Sequence, residues 1–242
     1  LLRVGISAAA LYFVLRSIDL PSFWERVKGM DPSWILLALG AYVFMQIVAV
    51  WRWHRLLRAQ HVEVSPRTLN ESLWVSLFFN NFLPSNIGGD FIRIADTATA
   101  AGSKTLATMV IVVDRVLGLT ALVLIASTGA FAASLFGMHM PGARWLFMAT
   151  AAGIAGAVLV ISIPQLVGAI LNPLRALNKP WVTERADRLE EAVVKFRNAP
   201  LALAGAFGGA LVVQATVVAF YLLTARGLDV PLPVFLGAVL IP

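Results

Sequence analysis

Long apolar stretches alternate with short polar ones along this chain. Charge-free runs cover Pro32–Trp51, Ser72–Gly89, Val116–Ala143, Trp145–Leu174 and Ala199–Ala225. Each is close to, or above, the roughly 18–20 apolar residues that cross a ~30 Å hydrocarbon core as a helix. Shorter apolar pieces, Val4–Leu15 and Val230–Pro242, stand at the two ends. The runs are continuous instead of alternating, which excludes a barrel of the outer-membrane type. The pattern predicts an all-α, polytopic helical membrane protein with a single transmembrane domain over 1–242. Spans are expected at 1–18, 33–52, 105–136, 145–171 and 199–224, with the start of another at 231–242. No signal-peptide cleavage pattern follows Leu1–Ile18, so this segment reads as a first span whose beginning is missing.

Composition strengthens that reading. The 242 residues are 59% apolar and only 13% charged, with a mean hydropathy of +0.82, whereas soluble domains are about half apolar and about a quarter charged. A net charge of +6 would suggest nucleic acid in a soluble chain. Here the Lys and Arg residues sit between the apolar runs, where the positive-inside bias accounts for them, and no nucleic-acid partner is expected. The absence of cysteine excludes disulfides, iron–sulfur clusters, thiolate nucleophiles and cysteine zinc sites.

The basic residues also predict topology. Arg52, Arg55, Arg58 and Arg67 follow the second span, and Arg175, Lys179, Arg185, Arg188, Lys195 and Arg197 fill the hydrophilic loop 173–198. Both segments are expected in the cytoplasm. The connection before Arg144 and the turn at Arg226 carry one basic residue each and are expected outside. An odd number of crossings must then separate Arg67 from Gly137, yet two apolar blocks lie between them. A re-entrant hairpin at 72–94 resolves the conflict, placing 13 basic residues inside and five outside.

The hairpin block reads SLWVSLFFNNFLPSNIGGDFIRI. Pro84 and the Gly88–Gly89 pair break a helix and permit a sharp turn. Asn80, Asn81, Ser85, Asn86 and Asp90 would be unsatisfied against lipid, and such backbone is tolerated at membrane depth only inside protein or beside a water-filled cavity. In the hydrophilic loop, Ala186, Leu189, Val193 and Phe196 recur at helical spacing, which predicts an amphipathic helix that either binds headgroups or packs on the bundle.

A short internal similarity accompanies these features. LLRAQHVEV (Leu56–Val64) and LLTARGLDV (Leu222–Val230) share four identities in nine, on opposite sides of the expected topology. Inverted-topology repeats require that arrangement. If the repeat holds, the counterpart of Pro84 falls about eight residues past Pro242, so the chain is expected to be truncated, with only part of its second half present.

Ionisable residues at membrane depth are functional candidates by default. Asp90, Arg93, Asp114 and Arg115 qualify. Asp114 and Arg115 lie about 100° apart on a helix and should not pair with each other. The expected pairs are Asp114 with Arg93, and Arg115 with Asp90 or a lipid phosphate, for which a guanidinium is well shaped. These residues either line a headgroup cavity or form an ion-pair network pinning the hairpin to the next helix. IGGD (Ile87–Asp90) is similar to the aspartyl motif of intramembrane proteases, but Ile87 replaces the first glycine and no Tyr–Asp partner exists. The three histidines, His54, His61 and His139, have no metal-ligand spacing, and no Walker A, GxSxG or GxGxxG pattern occurs. No metal and no cofactor is expected. Gly205 and Gly209 form a GxxxG pattern that suits close helix packing or a homo-oligomer.

NNFLPSNIGGDFIRI (Asn80–Ile94), VDRVLGL (Val113–Leu119) and the upstream WRWHRLL (Trp51–Leu57) resemble the lysylphosphatidylglycerol synthase transmembrane-region family, also called flippase-like. The resemblance implies a multi-pass protein of the bacterial cytoplasmic (inner) membrane. In the best-understood members this region translocates aminoacylated phosphatidylglycerol. The separate synthase domain is not part of this chain, and the family's second polar motif, proline then paired glycines then glutamate, does not occur in it. The resemblance carries over Asn81, Pro84, Gly88, Gly89, Asp90, Arg93, Asp114 and Arg115 as site residues. With Asn80, Ser85 and Asn86 they are expected to bind the headgroup of an anionic phospholipid, an aminoacylated phospholipid or a polyprenyl lipid. The competing readings are a non-catalytic scaffold of a lipid-synthesis pathway and a membrane-embedded lipid-linked glycosyl transferase.

Overall fold

The structure, a computed structural model, describes residues 12–13, 16, 19–82, 87–138, 142–162, 169, 172–173, 175, 179–230 and 232–241. Nine helices contain most of these residues: α1 (Leu20–Gly29), α2 (Pro32–Ala59), α3 (Pro66–Phe82), α4 (Ile87–Ala98), α5 (Lys104–Leu135), α6 (Ala143–Ser162), α7 (Pro180–Arg197), α8 (Pro200–Gly227) and α9 (Val234–Leu240). No strand occurs among the described residues. The expected first span, 1–18, lies largely outside them.

Among the described residues, three helices are long and apolar enough to cross a membrane: α2 and α8 with 28 residues each, and α5 with 32. Their side chains are distributed the opposite way from those of a soluble bundle. On α2, Leu36, Leu39 and Ile47 are exposed while Gln46 and Arg52 are buried. Water would penalise such a surface, whereas a hydrocarbon solvent favours it. The molecule is therefore an all-α polytopic membrane protein.

Local signals set the helix starts. Pro32 and Pro200 occupy the first helical turn of α2 and α8, where a missing N–H costs nothing. Asp31 caps α2 by accepting from the Ser33 N–H at 2.9 Å, and Ser103 caps α5 through the Leu106 N–H. The core joins α2, α3, α5, α7 and α8 through fully buried Trp53, Leu56 and Leu57, with Leu69, Val110, Phe196 and Ala206.

Helices α2 and α8 pack along their whole lengths, and the GxxxG glycines make this possible. A Cβ on Gly209 would lie 3.0 Å from the Trp51 ring, and one on Gly205 would lie 2.6 Å from Arg55 Nε. The small-residue pattern thus serves a contact within the chain. Helix α7 is the amphipathic helix expected from the loop: Val182, Ala186, Val193 and Phe196 are buried and Leu189 is half-buried, against the end of the bundle formed by α5, α6 and α8.

Replacing Gly209 by Leu forces α8 away from Trp51. Overpacking of this kind costs about 1–3 kcal/mol. Gly209→Leu is expected to lower the thermal midpoint of the detergent-solubilised protein, whereas Gly208→Leu, where added atoms meet open space, should leave it unchanged. Equal midpoints for the two variants would contradict this packing.

Candidate functional site

Helices α3 and α4 fold back on one another as a hairpin whose connection, 83–86, lies outside the described residues. The approach is closest at Gly89, in the first turn of α4. Its N–H donates to Asn80 Oδ1 at 2.7 Å, satisfying one of the amides that a helix start leaves without an internal partner. An added Cβ would sit 2.7 Å from both Asn80 Oδ1 and the Ser76 carbonyl oxygen, so only glycine fits.

The turn after Gly89 delivers two charges inward. Asp90 and Arg93 lie one helical turn apart on α4 and are both buried, with Arg93 Nη1 at 3.7 Å from Asp90 Oδ1. Helix α5 supplies Asp114 and Arg115. Arg93 Nη2 reaches Asp114 Oδ2 at 3.2 Å. Arg115 grips Asp90 with two donors, Nη2 to Oδ1 at 2.8 Å and Nε to Oδ2 at 2.9 Å. Both pairings are those expected from the sequence.

A third arginine completes the network. Arg52 Nε donates to Asp114 Oδ1 at 2.6 Å, tying α2 to α5. The sequence reading placed Arg52 at the end of the span, with the loop charges that follow. The helix instead continues two further turns to Ala59, which carries Arg52 into the bundle. Trp53, fully buried, lies beneath the Arg93 guanidinium at 4.2 Å from the ring centroid, a cation–π contact strengthened by the burial of both side chains. The apolar spacing of Trp53, Leu56 and Leu57 is the sequence signal for a helix that continues past the charge-free run.

These five charged side chains border an open cavity of about 770 Å³ lined by α2, the hairpin, α5 and α8. Ser76, Asn80 and Gln214 add neutral polar atoms, and Met45, Leu73 and Val213 form apolar wall. Arg115 is the charged residue most open to it, with a side chain 48% exposed. Asn81 is exposed and donates to the Leu77 carbonyl of its own helix, away from the lining, and Gly88 is half-buried nearby. Pro84, Ser85 and Asn86 lie outside the described residues.

Asp114 holds two buried guanidinium groups, so Asp114→Ala leaves Arg52 without a close carboxylate and Arg93 with only its 3.7 Å contact to Asp90. Breaking such a buried pair costs about 3–5 kcal/mol, and this variant is expected to lose its folded, monodisperse form in detergent. Arg115→Ala leaves Asp90 beside Arg93 and removes a half-exposed group, a loss of about 1 kcal/mol or less. Gly89→Ala should resemble Asp114→Ala more than Arg115→Ala, because the Ser76 carbonyl cannot move aside without unwinding α3. Thermal unfolding of the three variants checks the order.

A sequence profile described as Lysylphosphatidylglycerol synthase TM region matches residues 1–242, the whole chain. No curated protein and no solved structure matches it. The match spans the whole chain, and the protein belongs to the lysylphosphatidylglycerol synthase transmembrane-region family.

Proposed function

We propose that this protein binds and translocates the phosphate-bearing headgroup of a membrane lipid through the cavity between the hairpin, α2, α5 and α8. It acts as a flippase-like transporter in the bacterial cytoplasmic membrane. The observation that carries this reading is the charge balance of the cavity. Arg52, Arg93 and Arg115 face two carboxylates, Asp90 and Asp114, which leaves one positive charge in excess. Among the described residues, no other Asp or Glu lines the cavity.

A net cation among apolar walls is expensive unless an anion joins it. A phosphodiester meets that need, because a guanidinium fork and two phosphate oxygens match in geometry and charge. Ser76, Asn80 and Gln214 supply neutral hydrogen bonds for glycerol, sugar or aminoacyl oxygens. The exposed apolar faces of the surrounding helices let the acyl or polyprenyl chains remain in the bilayer while the headgroup passes. Membership of the family supports the same substrate range: anionic phospholipid, aminoacylated phospholipid or polyprenyl lipid.

Reconstitution tests this reading. Proteoliposomes carrying labelled phosphatidylglycerol, lysylphosphatidylglycerol or a polyprenyl phosphate should show protein-dependent movement of at least one of them between leaflets. Arg115→Ala should slow that movement at least about tenfold, the equivalent of ~1.4 kcal/mol of lost headgroup stabilisation, while expression and thermal midpoint persist. Movement of none of the three by folded wild-type protein, or unchanged movement in the variant, would sink the proposal.

A further inference from the structure

Helix boundaries in the two halves of the chain repeat with one constant shift. Helix α1 ends at Gly29 and α7 at Arg197; α2 runs Pro32–Ala59 and α8 Pro200–Gly227; α3 starts at Pro66 and α9 at Val234. Every one of these pairs is 168 residues apart. The turns between them repeat as well. His61 (φ 60°) and Asp229 (φ 54°), again 168 apart, are the non-glycine residues with positive φ among the described residues. Side-chain sterics make that conformation uncommon. The Val62 N–H donates to the Leu57 carbonyl at 3.0 Å, and the Val230 N–H to the Ala225 carbonyl at 2.9 Å.

At this shift Pro32, Ala38, Gly40, Gln46, Val50, Arg58 and Val62 meet identical residues at 200, 206, 208, 214, 218, 226 and 230. Ala38 and Ala206 are both buried, as are Val50 and Val218. The similarity visible in the sequence alone, LLRAQHVEV with LLTARGLDV, is two residues out of this register. It matches local words, whereas the structure aligns helix ends and turns.

The two copies run in opposite directions. Gly205 of α8 meets Arg55 of α2, Gly209 meets Trp51, and Gly227 meets Met30 and Trp34. Five residues on from the Trp51–Gly209 contact, in opposite senses along the two helices, stand Gln46 and Gln214. They are equivalent under the shift and level with each other, so a two-fold axis crosses the helix pair there. The cavity lies at that axis: equivalent residues Met45 and Val213 both line it, beside Gln214.

We infer that the chain contains an inverted-topology repeat of period 168 and that its cavity opens alternately to the two faces of the membrane. This rests on the transport reading only for the identity of what moves. The physical reason is exchange. An axis in the membrane plane swaps the two faces, so if each unit can adopt the other's arrangement, an opening toward one face has a counterpart toward the other. Binding near the midplane at a repeat interface is the geometry that such rocking serves.

The chain is naturally free of cysteine, so single substitutions report directly. His61→Cys, Asp229→Cys and Gln214→Cys would be reconstituted in sealed vesicles of phosphatidylethanolamine and phosphatidylglycerol. A membrane-impermeant maleimide would be added outside to vesicles holding the protein in each of its two orientations in turn, with glutathione trapped in the lumen as a leak marker. His61→Cys and Asp229→Cys should react from opposite faces. Gln214→Cys should react from either face at least tenfold faster than the fully buried control Ala206→Cys, with lumenal glutathione unlabelled. The two end markers reacting from one face would overturn the inverted repeat. Reaction of Gln214→Cys from one face only, or labelling of the lumenal glutathione through an open pore, would overturn alternation. Lipid movement in the same vesicles is read separately. Its absence beside two-faced labelling would remove the lipid substrate and leave the alternating repeat standing.

Discussion

Asp114 is the point on which this structure turns. Its carboxylate, almost completely buried in the middle part of α5, accepts from Arg52 of α2 and from Arg93 of α4. Three helices, α2 and the consecutive pair α4 and α5, are thereby held by one side chain. In a hydrocarbon environment each of these charges alone would cost several kcal/mol, so the three elements are coupled: none can shift without stranding a charge. The hairpin is attached to the bundle through this contact and through the Arg115 grip on Asp90.

Close backbone approach at the hairpin makes the electrostatics possible. Gly89 lets α4 start against α3, where Asn80 takes up its N–H. That position fixes the direction of Asp90 and Arg93 one turn later. A bulkier residue would move α4 outward and lengthen the Arg93–Asp114 distance at once. The paired glycines and the buried ion network are therefore one feature, in which a backbone requirement sets a charge geometry.

Much of this was legible in the chain. Apolar runs separated by charges gave the class of fold, and an acidic and a basic residue on each of two segments gave the Asp114–Arg93 pair and Asp90 as one of two partners for Arg115, the other being a lipid phosphate. Buried charges have few permissible partners, which is why pairing could be read without coordinates. Arg52 escaped because a charge at the end of an apolar run looks like a loop residue, and only the continuing helix to Ala59 carries it inward. The register of the repeat escaped for a different reason. Helix length and turn geometry are shared by the halves, while most side chains have diverged with their surroundings.

Divergence between the halves also carries functional information. Arg52, a member of the ion network, has Phe220 as its counterpart at the 168-residue shift. Gln46 and Gln214, by contrast, are identical at the axis. The backbone frame of α2 and α8 is thus nearly symmetric, whereas the charges belong to α2, α4 and α5. A symmetric frame makes two opposed openings comparable in energy, and a one-sided charge network makes them unequal, because only one unit carries its arginines past the cavity. An excess guanidinium charge that travels with one unit binds an anion differently in the two openings, and differential affinity is the only means by which a ligand can shift such an equilibrium. Under the proposed transport function, the same asymmetry that spoils the repeat in the sequence is therefore what would let a headgroup drive the change of state.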